Sequence, residues 1–380
     1  MLGSMLKVGR LPIGIDLGSG SVKLAQAKSW SNPSVVASAR VPFQSGGIAS
    51  MSFEEIRALA REIADAAKHS GFTSNRCVIG LDDRLVRTRS VRQPPMTESE
   101  IASAIQIDGR SRLGFNQDEP CELGWLLAGP IRQGDQSRDE VILVGCQSKP
   151  IESLVMALAE HGVRTNAVEP GFVAAGRLFT RTLRRNTDTD VCSLIVDVGR
   201  TITSVIVLRG DNIAFHKSLE IGGANLDEAA RLRLGLDPQT ITNMRRARLR
   251  ANGAAPTDPK VERAFFESAR SIIADLAHEV TLCLRYMSVT FRAGRPKFIH
   301  IIGGDANEPG LREQIFKAIG ADAPGAEAPT PDGNCDPAWT VAAGLSIRGA
   351  EPQAKKRKWS RAATRPSEPT AEAPPARRAA

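Results

Sequence analysis

No two of the six cysteines form a C-x-x-C pair. They lie at Cys77, Cys121, Cys146, Cys192, Cys283 and Cys335, and no histidine spacing completes a zinc site, so buried reduced thiols are expected. Apolar runs such as Val141–Val144 and Leu194–Val196 fall far short of the roughly 18–20 residues a bilayer crossing requires. The N-terminal MLGSMLKVGR lacks the apolar core and small-residue cleavage site of a signal peptide. These absences lead to the expectation of a soluble cytoplasmic chain. Also missing are a G-x-x-x-x-G-K-[ST] loop, an H-E-x-x-H pair and a nucleophile elbow, while Gly18-Ser19-Gly20 is followed by Lys23 rather than the third glycine of a dinucleotide fingerprint. P-loop, Rossmann and common hydrolase readings are therefore disfavoured. The five histidines are dispersed and read as surface or core residues.

What is present is enough apolar material for two cores: 380 residues, 42% hydrophobic and 24% charged. The formal net charge is +8, but residues 351–380 carry eight Lys/Arg against three Glu. The remaining body is close to neutral for its size, which argues against a nucleic-acid footprint. The same tail holds five Pro, eight Ala and no larger aliphatic residue, so it is expected to be disordered.

Three segments pair a β-rich run with a glycine turn: IGIDLGSGSVKLAQA at 13–27, SLIVDVGRTITSVIVLRG at 193–210, and KFIHIIGGDANEPGLREQIFKAI at 297–319. The first two look like copies, as duplicated lobes would produce. Between them, Ser52-x-x-Glu55 reads as a capping box opening a helix, 76–92 as a strand pair, 97–113 as a helix, 121–147 as two strands, and 149–161 as a further helix. The resulting expectation is an α/β fold with residues 11–80 and 161–190 as a first lobe core and 81–160 as an inserted small α/β subdomain. Residues 191–223 and 291–350 would form a second lobe core, with 224–290 a helical subdomain.

A strand ending in Asp and a Gly-rich turn leaves free backbone N–H groups where phosphate oxygens can approach, and its carboxylate can hold magnesium through water. One such hairpin is as easily structural as functional. Two, Asp16-Leu17-Gly18 and Asp197-Val198-Gly199, together with Gly303-Gly304 after a third strand, favour a nucleotide site.

As a set and in this order, IGIDLGSGSVK, VDVGRTIT and IIGGDA resemble the phosphate-1, phosphate-2 and adenosine motifs of the actin and FtsA superfamily. AVEPGFVAAGRL at 167–178, LEIGGANLDEA at 219–229, EVTLCLRYM at 279–287 and AWTVAAGLSIRG at 338–349 are similar to the PilM branch, the cytoplasmic actin-like proteins of type IV pilus assembly. The resemblance spans roughly residues 11–349. It implies an actin-like, ribonuclease H-like, duplicated two-lobe ATPase fold that takes ATP and Mg2+. Carried over, it makes Asp16 and Asp197 carboxylates near the metal, and Gly18, Ser19, Gly20 and Lys23 phosphate contacts. Asp197, Gly199 and Thr201 become the opposing clamp, Gly222 and Gly223 flank the phosphates, and Gly303, Gly304 and Asp305 lie near the adenosine. Glu169 matches the acidic residue that positions attacking water, so Glu169 and Asp197 would be the catalytic pair. Departures stand at Arg200 and Asp227, where relatives carry other residues, and at Thr242 and Arg245, where a Glu and a Lys often face the ribose and base. They point to slow or absent turnover.

The resemblance further implies an assembly protein, peripheral to the inner membrane, that docks the N-terminal cytoplasmic peptide of a PilN-like single-span partner, with self-association as an added option and no specific nucleic acid. The groove would involve Val86–Val91, Cys121–Leu127, and Trp125 as either core or contact. An FtsA-like filament protein is the alternative, although Pro366, Pro369, Pro374 and Pro375 disfavour the C-terminal amphipathic helix such a protein carries. A small-molecule kinase ranks below both.

Overall fold

The computed structural model describes residues 10–42, 47–133, 135–181, 183, 188–250, 258–292, 294–320, 336–350 and 360–361. The chain opens with an antiparallel meander, β1 (Ile13–Leu17), β2 (Ser21–Ala27) and β3 (Val35–Pro42). Helix α1 (Phe53–His69) starts on the Ser52/Glu55 capping box and turns Ile56, Leu59, Ala60 and Ile63 into the core. β4 (Arg76–Leu81) is buried from Cys77 onward because it enters mid-sheet, parallel to β1.

β5 (Arg87–Gln93), a largely polar strand, does not pair with β4, contrary to the reading of 76–92 as one strand pair. It joins the inserted sheet as its outer strand, where polar side chains can remain wet. Helix α2 (Glu98–Ala104), a π-helical turn and α3 (Arg110–Arg112) continue one into the next, capped by Thr97. They cover the long antiparallel pair β6 (Cys121–Gln133) and β7 (Gln136–Gln147), with β5 antiparallel to β7. Ile101, Ile105, Leu113, Phe115 and Leu143 form a separate small core around Trp125, which is only 1% exposed and so is not a contact surface. Helix α4 (Ser148–Glu160) packs on α1 of the first lobe, and β8 (Arg164–Pro170) completes the sheet order β3-β2-β1-β4-β8 before α5 (Gly171–Thr180).

The second half repeats the plan. β9 (Cys192–Val198), β10 (Thr203–Arg209) and β11 (Asn212–Leu219) form a second meander. Three helices follow, α6 (Gly223–Leu234), α7 (Pro238–Arg250) and α8 (Pro259–Phe291). β12 (Phe298–Ile302) then returns parallel to β9, giving β11-β10-β9-β12, the same order as β3-β2-β1-β4. After α9 (Leu311–Ala318), helix α10 (Thr340–Ser346) crosses back to the first lobe and lies against β1, β2 and α5. Contact there is close: a Cβ on Gly14 would collide with the Ala342 carbonyl, and one on Gly344 with that of Ala174. The tail expected to be disordered lies outside the described residues, apart from β13 (Ser360–Arg361), which pairs antiparallel with β6 at Trp125 and Gly124.

Candidate functional site

Each hairpin places its aspartate by register. Asp16, one residue before the end of β1, lies opposite Lys23 on β2, and Lys23 Nζ donates to Asp16 Oδ2 at 2.9 Å. Burial works against the Lys23 charge, but Asp16 outweighs it and the Lys23 pKa is raised. Asp197 occupies the equivalent place in β9, opposite Ser204 on β10. Burial, then Asp16, push its carboxyl up to about 7, outweighing the opposing pull of Lys23. The second hairpin is braced from behind: Gly223 N–H donates to Gly199 O at 3.0 Å and Ala224 N–H to Arg200 O at 2.6 Å. Gly222 is glycine because a Cβ would stand 2.7 Å from Gly199 O. Gly303, at φ +101°, lets the turn after β12 press against Asp197 and Val198, and Asp305 N–H donates to Val198 O at 3.0 Å.

The hairpins face one another across a cavity of about 900 Å3, within the size range of sites that take a nucleotide. Its walls include Asp16, Gly18, Ser19, Gly20 and Lys23 from the first lobe, and Asp197, Gly199, Gly303, Gly304 and Asp305 from the second. Thr201, Gly222 and Gly223 stand behind this lining. The Thr201 hydroxyl is buried without a hydrogen-bond partner among the described residues. Glu169 is placed elsewhere. Its unexposed carboxylate takes Arg177 Nη1 at 2.6 Å and Nη2 at 2.7 Å, plus Arg348 Nη1, and it knits β8 to α5 and the end of α10 away from the cavity wall.

Several lining residues were not among the expected site residues, and Arg245 stood out only as a departure from the pattern. Arg245 of α7 is 2% exposed and ion-paired with Asp227, Asp305 (2.5 Å) and Glu308 (2.9 Å), tying the helical subdomain to the third turn. Arg246, Leu249, Arg40 and Trp339 complete the far end, with the Arg40 guanidinium 5.5 Å from the Trp339 ring centroid. Asp82 and Asp83 follow β4 and also line the cavity. Their position after a buried strand repeats the strand-then-Asp signal of Asp16, and could have been read from it. Asp83 crosses to the second lobe: Ser204 Oγ donates to it at 2.5 Å, Ser218 Oγ at 2.8 Å, and His216 Nε2 lies 2.9 Å away. Burial opposes the Asp83 charge, but His216 and the serines outweigh it and the pKa is lowered. His216 in turn stacks on Phe172 of α5, ring centroids 3.9 Å apart. A second crossing joins the insertion to α8, where Tyr286 Oη donates to buried Glu140 of β7 at 2.9 Å.

Among the described residues no cluster of three or more His, Cys, Asp or Glu is arranged to hold a metal ion outright. Two carboxylates and a polyphosphate suit magnesium, which keeps several waters. The arrangement is thus a two-sided, glycine-lined cleft with an acidic floor.

The sequence profile of the type IV pilus assembly protein PilM matches residues 14–324. Among solved structures, the PilM-PilN type IV pilus biogenesis complex aligns with 90% of this chain and 99% of its own, at TM-score 0.67 and 21% identity. The ethanolamine utilization protein EutJ from Carboxydothermus hydrogenoformans aligns over 90% of each chain at TM-score 0.54 and 14% identity. At these identities the structural likeness is one of fold, and it is the two-lobed actin-like fold that the sheet duplication displays. With the profile spanning most of its length, the chain belongs to the PilM family of type IV pilus assembly proteins.

Proposed function

We propose that this actin-like pilus assembly protein binds ATP with Mg2+ between its two hairpins and, with its lobes so joined, docks the N-terminal cytoplasmic peptide of a PilN-like inner-membrane protein. One observation carries the nucleotide reading: two glycine hairpins face each other across one cavity, each with an aspartate next to its strand end. Asp16 and Asp197 would hold the hydrated metal, which when bound supplies positive charge to the phosphates. Gly18, Ser19, Gly20 and Lys23 would meet the phosphates from one side, and Gly199 and Thr201 from the other. The Gly303-Gly304 turn and Trp339 border the end left for the nucleoside.

Slow or absent hydrolysis goes with this reading. Aligning water for phosphoryl transfer needs a base placed to about an ångström, and Glu169 is bound to two arginines away from the cavity. The partner reading is motivated by the PilM-PilN complex among the similar structures and by the outer position of β5, where an extended peptide can add by backbone pairing. No helix among the described residues is long and apolar enough to cross a membrane, and in this proposal the partner supplies the membrane association. The test is titration calorimetry with ATP and magnesium on the wild type, Asp16→Ala and Asp197→Ala, repeated with N-terminal peptides of PilN-like proteins while amide exchange is followed. Binding by wild type, weakened in both variants, with peptide protection in the insertion and first lobe, is expected. Wild-type affinity in both variants would sink the two-hairpin site, and protection confined to the second lobe would sink the groove.

A further inference from the structure

The cations on the cavity wall are not equivalent. Lys23 neutralises Asp16, and Arg245 has carboxylates on all three guanidinium nitrogens. Arg200 differs from both. It sits at the tip of the second hairpin and lays its stem across the first: a Cβ on Gly20 would stand 3.3 Å from Arg200 Cβ and Cγ. The glycine at position 20 therefore makes room for an arginine of the opposite lobe. The Arg200 side chain is 25% exposed and lines the cavity, and its head rests on Asp227 Oδ2 with Thr242 Oγ1 3.5 Å away.

Asp227 does not depend on that contact. Its Oδ1 accepts from Arg245 Nε and its Oδ2 from Thr242 Oγ1 at 2.7 Å, so both oxygens remain satisfied when Arg200 leaves. Departure costs Arg200 one ion pair at a partly wet site, and a phosphate offers its planar fork a stronger, bidentate replacement. We infer that Arg200 is a phosphate-binding strap: on nucleotide binding it exchanges Asp227 for the polyphosphate chain, and so makes affinity depend on the number of phosphates. This rests on the nucleotide reading and deepens it, since it names nucleoside di- and triphosphates, not monophosphates, as the ligands this cleft retains.

The experiment is calorimetry of ATP, ADP and AMP with the full chain, as wild type, Arg200→Gln and Arg200→Lys, after melting curves without ligand show that each variant is folded. The expected result is a loss of roughly tenfold or more for ATP and ADP in Arg200→Gln, with AMP nearly unchanged and Arg200→Lys intermediate. Loss of all three nucleotides in equal proportion would assign Arg200 a structural role and overturn the strap. Unchanged affinities in both variants would overturn it while leaving the nucleotide site standing. A wild type that binds none of the three would remove both.

Discussion

Asp197 is the side chain at which folding and binding pull in opposite directions. Its carboxyl titrates near 7 in the fold against 3.8 in a free chain, mainly through burial and then Asp16. Between those values the folded protein holds a proton that the unfolded chain has released, so stability falls as pH rises through the window and the penalty is complete above it. Asp197→Asn removes the penalty. The ligand-free variant should melt higher than wild type at pH 8, with the difference shrinking towards pH 4, while ATP binding with magnesium weakens. A variant that melts lower at pH 8 would show that the acidic floor is not a source of strain. The aspartates and glycines of the hairpins were legible because strand, carboxylate and turn are contiguous in the chain. The Arg200–Asp227 pair was visible only as two separate departures from a pattern, because their meeting depends on where α6 docks. Glu169 shows the opposite limit. Its match to a motif said nothing of Arg177 and Arg348, which meet it only through the packing of α5 and α10.

Among the elements, burial pattern was a better guide than adjacency. β4 is buried without a break from Cys77 onward and lies mid-sheet, whereas β5, only a few residues later, is largely polar and joins another sheet as its outer strand. Read as neighbours in sequence they look like a hairpin; read by polarity they separate. The placement of α10 had no local signal at all, since its contacts are with strands at the other end of the chain. Two glycines test that contact. A methyl at Gly14 would run into the Ala342 carbonyl and stand 2.9 Å from Leu345 Cβ, whereas one at Gly80 would meet the flexible end of Leu345, Cδ1, at 2.6 Å. Backbone cannot give way as a rotamer can. Gly14→Ala should cost about 3 kcal/mol or more and Gly80→Ala distinctly less, read as denaturant midpoints at constant slope. Equal losses would mean that α10 shifts as freely as a side chain.

Over the whole molecule, the two ends of the described chain carry unequal weight. Ala27 N–H donates to Ser346 Oγ at 2.9 Å, and that hydroxyl donates to Pro12 O at 2.7 Å, so Ser346 fastens the last helix to the first strands. Ending the protein after Ala350 removes the tail and the two-residue β13, and should leave melting temperature and nucleotide affinity intact. Ending it after Trp339 removes α10 and should abolish cooperative melting. Comparable curves for both truncations would contradict the assignment of α10 to the first lobe's core. The same feature sets an order of events during synthesis. β1 and β2 are synthesised long before they are covered, because the helix that seals them is encoded beyond the entire second lobe. Until then β1 and β4 present a bare apolar flank, and contacts of such long sequence separation form slowly. The first lobe therefore stays unfinished while the second is being translated, and that exposure ends only once Ser346 has emerged.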